Sequence, residues 1–130
     1  KNVATYAAEV ESCMLSEQAA PRSEWLLSYH HGNAFREEDL SECFARCAEG
    51  IMKNMCCHEL ALMVTYHDVE LANLSKIEVD QERTSLQSHG GHTDFARIAL
   101  TLQHSDGHRL QLIADRCSGQ LSSATTQVGG

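Results

Sequence analysis

The sequence predicts an α+β fold: an antiparallel β-sheet, one prominent amphipathic helix at about residues 34–54 packed on one face, and disulfide staples between them. Three observations carry this prediction. Leu40, Cys43, Phe44, Cys47, Ala48, Ile51, Met52 and Met55 recur in steps of three and one, the stripe of an α-helix with one buried face. Residues 95–117, FARIALTLQHSDGHRLQLIADRC, are two apolar-alternating runs about an Asp-Gly turn, the signature of a hairpin. Finally, six cysteines in 130 residues are spread so that Cys13 and Cys117 flank a dense group, Cys43, Cys47, Cys56 and Cys57.

Each element has its own local reason. Glu37, Glu38 and Asp39 lie where the positive end of the helix dipole favours acids, Asn33 is a candidate N-cap, and Lys53 and Asn54 suit the other end. Residues 59–67, ELALMVTYH, alternate Leu60, Leu62, Val64 and Tyr66 with Ala61, Met63 and Thr65, which predicts a central strand. Residues 69–80 admit a strand or a short helix, and 81–93 form a polar connection ending in Gly90-Gly91. In the hairpin, a two-residue Asp106-Gly107 loop would mix the faces. A three-residue loop, Ser105 to Gly107 with Gly107 left-handed, sets Leu102 against Leu110, Leu100 against Leu112 and Ile98 against Ala114. That register also opposes His104 and His108 at the closed end. Upstream, Trp25, Leu27 and Tyr29 alternate and predict a strand over 24–32. Before Pro21 the chain reads either as a helix face (Ala7, Val10, Cys13, Met14) or as a strand start (Val3, Thr5, Ala7). One globular domain, 1–117, and a flexible tail, 118–130, are expected.

The cysteines bear on location. Cys43 and Cys47 stand one helical turn apart and are poorly placed to bond each other. Cys56 and Cys57 are adjacent, where a disulfide is strained, so each pair is expected to bond outward. Three such bridges imply an oxidising compartment, hence a secreted protein. A start at Lys1 without methionine fits a processed mature form. Zinc knuckles and a redox Cys-x-x-Cys are absent from the spacing. The spacing of Cys13, Cys43 and Cys47 resembles the first three cysteines of insect odorant-binding proteins, which are small, acidic and secreted. That family continues with a long gap and three further cysteines in an all-helical fold, and this chain departs from it at Cys56-Cys57.

A net charge of −8, with lysine only at positions 1, 53 and 76, argues against a nucleic-acid backbone or an anionic membrane as the main partner. No apolar run is long enough to span a bilayer. His58-Glu59 begins a zincin-like HELAL, but Leu62 stands where the second histidine ligand belongs. Nucleophile-elbow, Walker and dinucleotide glycine motifs are missing as well. Eight histidines leave two chemical openings. His104 and His108, with His89 and His92 to complete the set, are weak candidates for a metal. Two histidines with Glu59 or Glu78 are candidates for acid–base hydrolysis of a ribonuclease-like kind. Asn73-Leu74-Ser75 has the form of an N-glycosylation site.

The expectation is therefore a secreted, non-enzymatic, cofactor-free protein that binds another protein or a cell surface, in the manner of a toxin, effector or ligand. A small histidine-dependent hydrolase or a metal-binding protein is the alternative.

Overall fold

The computed structural model describes residues 25–117 and 122–128. Cys13, Pro21 and the two readings of the N-terminal segment lie outside these. The chain forms strand β1 (Trp25–Gly32), a short 3-10 turn (Glu37–Asp39), helices α1 (Leu40–Arg46), α2 (Ile51–Asn54) and α3 (Cys57–His67), a second 3-10 turn (Leu71–Asn73), then strands β2 (Leu74–Val79), β3 (Ser85–His89), β4 (His92–His104), β5 (Arg109–Asp115) and β6 (Ser123–Val128). The six strands form one sheet in the order β2-β4-β5-β1-β6, with β3 also on β4.

The α+β class holds, but the sheet is mixed. β1 runs parallel to β5, and the remaining pairings are antiparallel. The β4–β5 hairpin has the expected register, with Leu102 on Leu110, Leu100 on Leu112 and Ile98 on Ala114. Gly107 has φ +97°, the left-handed conformation that the three-residue loop demands of it. β1 presents Trp25, Leu27 and Tyr29 to the core, as its alternation implies.

Three elements differ from expectation. The helix over 34–54 is broken into pieces: Cys47, at φ −108° and ψ 46°, leaves the helical region and ends α1 at Arg46, and Gly50, at φ +93°, separates it from α2, which begins at Ile51. Residues 59–67 are helix rather than strand. Their buried members, Glu59, Leu62, Met63 and His67, fall at helical steps, while Val64 is 58% exposed. Residues 123–128, expected within the tail, pair antiparallel with β1 and form the sheet's far edge.

α2 and α3 cover one face of the sheet. Ile51, Met55, Cys56, Leu62 and Met63 pack on Trp25, Leu27, Tyr29, Leu102, Leu110 and Leu112. Burying one such aliphatic side chain contributes roughly 1.5–3 kcal/mol, so this layer holds the domain together. α1 forms a satellite contact, Leu40 and Phe44 against Ala96.

No disulfide joins the five described cysteines: Cys43, Cys47, Cys56, Cys57 and Cys117 are all free thiols. The expected staples between helix and last strand are thus replaced by something else. Arg116, 1% exposed, donates from Nη2 to Asp94 Oδ2 at 2.7 Å, from Nη1 to Cys43 Sγ at 3.0 Å and from Nε to the Phe95 carbonyl at 3.2 Å. Its guanidinium lies over the Phe44 ring, 5.5 Å from the centroid. Asp94 Oδ1 in turn accepts the backbone N–H groups of Ile51 and Phe95. One buried ion pair therefore links α1, α2, β4 and the end of β5.

Candidate functional site

The histidines gather at two ends of the fold. At the closed end of the β4–β5 hairpin, His104 and His108 face each other with stacked rings, 4.6 Å between centroids. The hairpin register puts them there, and burial holds them: His104 is 7% exposed and His108 fully buried. Asp106, in the turn between them, bonds both. Its Oδ1 accepts the His108 backbone N–H at 2.9 Å and the His108 ring Nδ1–H, and lies 3.3 Å from His104 Nδ1. Burial pushes the Asp106 carboxyl up, but the His108 backbone and ring hydrogen bonds and the nearby imidazoles outweigh it and hold the group below the usual carboxylate range.

Outer groups orient these rings. His104 Nδ1 accepts the Asp106 backbone N–H at 3.1 Å, so its Nε2 carries the hydrogen and donates it to the Asp68 carbonyl at 3.2 Å. Asp68 caps α3 in the left-handed conformation, φ 53°. Asn73 holds it there, donating from Nδ2 to the Asp68 carbonyl and carboxylate at 3.2 and 3.1 Å. The Asn73 amide is thus engaged in the fold, and a glycan on it would take one of the two hydrogens that make these bonds. Behind His108, its ring centroid 6.4 Å away, is buried His67, hydrogen-bonded to the Tyr29 hydroxyl.

His89 and His92 do not join this group. They pair across the Gly90-Gly91 turn at the other end of β4. β4 runs from His92 to His104, and twelve steps of ~3.3 Å separate those residues by roughly 40 Å. His89 instead bonds Gln87 and meets the Phe44 ring edge-on. The sequence indicated His104 and His108 but not Asp106 or Asp68. The His-x-Asp-x-His spacing is the signal for Asp106, overlooked because the same residue marks a turn.

Of the two carboxylates offered as acid–base partners, Glu59 stands beside two histidines and Glu78 does not. Glu59 is fully buried in the first turn of α3, with Oε1 2.9 Å from His31 Nδ1 and Oε2 without a hydrogen-bond partner among the described residues. His58 stacks on His31 at 6.2 Å. Glu78 lies far from them in the chain's pairing order, exposed on β2 and ion-paired with Lys76. Neighbouring Cys56 is fully buried, and burial, with help from Glu59 and Cys57, pushes its thiol up to about 12. Exposed Cys57 has no such shelter. Iodoacetamide on the native chain at neutral pH is therefore expected to modify Cys57 early and Cys56 only on unfolding. Peptide mass mapping checks this, and equal early labelling of both would contradict the burial.

The remaining feature is an edge. Among the described residues β2 pairs with β4 alone, so its other side offers backbone N–H and C=O groups to an incoming strand. Ile77 and Val79 oppose Leu102 and Leu100, so they share the apolar, helix-covered face. The helices stop short of them: Ile77 is 55% and Val79 51% exposed. Lys76 and Glu78 occupy the opposite face.

No protein-family model matches the chain, and no curated protein matches it. Among solved structures it resembles a dehydrogenase from Chromobacterium violaceum, with a TM-score of 0.52 and 15% identity, over 95% of this chain and 33% of that one. The chain spans about a third of that protein's length, and the likeness is one of fold. Among the described residues no helix is long and apolar enough to cross a membrane.

Proposed function

We propose that the domain is a non-catalytic protein-binding module that docks another chain on the open edge of β2, and that the chain it docks is a second copy of itself. The observation that carries this reading is the self-complementarity of the edge. Place two β2 strands antiparallel about a two-fold axis through Ile77. Ile77 then meets Ile77 of the other copy, Lys76 meets Glu78 and Glu78 meets Lys76, and Val79 meets Ser75. The two apolar faces become continuous, and Ile77 and Val79 leave water.

This offsets the exposure of two β-branched residues on an edge strand that carries no proline and no bulge beyond Leu74/Lys76. Two copies that each carry a net charge of −8 repel at long range, so the pairing depends on the local Lys76–Glu78 contacts and the apolar burial. A working place outside the cell, with a toxin-, effector- or ligand-like role, is proposed only on cysteine number and acidity. Complete alkylation of all six thiols in the unreduced chain would remove that part and leave edge docking intact.

Sedimentation velocity across micromolar concentrations tests the docking. The native chain is expected to show a concentration-dependent dimer, and Ile77→Lys, which sets two ammonium groups face to face, is expected to be monomeric with unchanged thermal stability. A monomer at every concentration of the native chain would overturn the self-association, and a dimer that survives Ile77→Lys would place it elsewhere.

A further inference from the structure

We propose that His104, Asp106 and His108 form a binding site for one divalent transition-metal ion of the zinc class, at the end of the hairpin and independent of the β2 edge. One nitrogen from each histidine and one Asp106 carboxylate oxygen lie within 4.8 Å of one another. Two imidazole nitrogens and a carboxylate oxygen are a donor set for zinc and its neighbours rather than for calcium or magnesium. Metal–ligand bonds of about 2.0–2.1 Å at tetrahedral angles require ligand atoms about 3.3 Å apart. His104 Nδ1 and Asp106 Oδ1 already stand 3.3 Å apart. His108 Nδ1 is closer to Asp106 than that, because a hydrogen bridges them. The ion would take the place of this hydrogen at His108 and of the Asp106 backbone N–H at His104 Nδ1, whose single lone pair now accepts it, and neutral His108 would then carry its hydrogen on Nε2.

The surroundings are those of a ligand set rather than of a chance turn. The tautomer that leaves His104 Nδ1 as the acceptor is dictated by the Asp68 carbonyl at Nε2. The Asp68 carboxylate stands 3.7 Å from the same Nε2. A histidine backed by a carbonyl or carboxylate is the usual outer support of a metal-binding imidazole. Asp68 provides it from a left-handed backbone that Asn73 pins, a conformation non-glycine residues seldom adopt. Both rings are sheltered, and the Asp106 side chain is 34% exposed, so the carboxylate marks the side from which an ion and its remaining water ligands enter. A cation also answers the single carboxylate that stands between the two rings.

Titration of the reduced chain with cobalt(II) chloride, followed by displacement with zinc chloride, tests the site. Saturation at one equivalent is expected, with a cobalt spectrum of nitrogen and oxygen coordination and no thiolate charge-transfer band. His104→Gln and Asp106→Asn are each expected to weaken binding at least tenfold, about the loss that even an outer partner causes. Asp106→Asn changes a part-exposed turn residue, and its metal-free melting curve shows whether it folds; nitrogen-bound proton shifts of His104 and His108 on zinc addition read the site in the native chain directly. Failure to saturate at one equivalent, a thiolate band, or unchanged affinity in folded Asp106→Asn would each overturn the proposal.

Discussion

Replacing Arg116 with alanine is expected to lower the unfolding free energy by about 3–5 kcal/mol, the usual cost of leaving a buried charge without its partner. Asp94 would be that charge. Its side chain is only 13% exposed, so water replaces little of the lost guanidinium. The Phe95 carbonyl and the Cys43 thiol lose a donor at the same time, and the Phe44 ring loses the cation above it. The damage is not confined to one element, since Asp94 also anchors the first residue of α2 through the Ile51 N–H. Urea unfolding of the two proteins gives the difference directly. Paired replacement by apolar residues of similar volume, Arg116→Met with Asp94→Leu, is expected to recover part of the loss, because no lone charge is then buried. A loss under about 1 kcal/mol for Arg116→Ala would mean that the pair is hydrated and does not staple the layers.

The role of Arg116 shows how the sequence was legible and where it was not. The cysteines at 43 and 117 do lie where α1 and the end of β5 meet, so their spacing pointed to a true junction. The bond there is ionic. Nothing local to Arg116 distinguishes it from a solvated arginine, and its partner stands 22 residues away. The hairpin was readable in full because the leucines of both strands must share one face, which leaves a single register. Residues 59–67 were not, because apolar side chains at nearly every position satisfy periods of two and of 3.6 alike. Two polar residues, Glu59 and His67, turned inward and settled the helix, and inward polar groups are what a periodicity count cannot foresee. β3 carries Ser85, Gln87 and Ser88, with no apolar alternation to announce it. The parallel partnership of β1 with β5 depends on the whole path between them.

The same division holds at the sites. His104 and His108 were placed opposite each other by register alone. Asp106 belongs with them only because the turn folds its carboxylate back toward both rings, and Asp68 only because α3 ends in a left-handed residue. For the β2 edge, the alternation of Ile77 and Val79 was visible in the sequence. That the helical layer fails to reach them was not, since it depends on where α3 lies across the sheet.

Charge exchange at β2 probes the docking register most directly. Lys76→Glu sets two carboxylates against each other twice across the two-fold axis, and Glu78→Lys sets two ammonium groups against each other twice. Cross-strand charge pairs contribute about 0.2–1 kcal/mol each, so turning two attractions into two repulsions is expected to weaken the dimer by roughly one to two orders of magnitude. The double variant, Lys76→Glu with Glu78→Lys, restores opposite charges and is expected to dimerise like the native chain. The two single variants, mixed, are expected to form a heterodimer that neither forms alone. Sedimentation equilibrium at about 0.15 M salt, where distant charges are screened and these facing pairs are not, measures all four. Recovery in the double variant and in the mixture is the predicted result. Dimers of equal strength in every variant, or single and double variants equally weakened, would contradict docking through this edge.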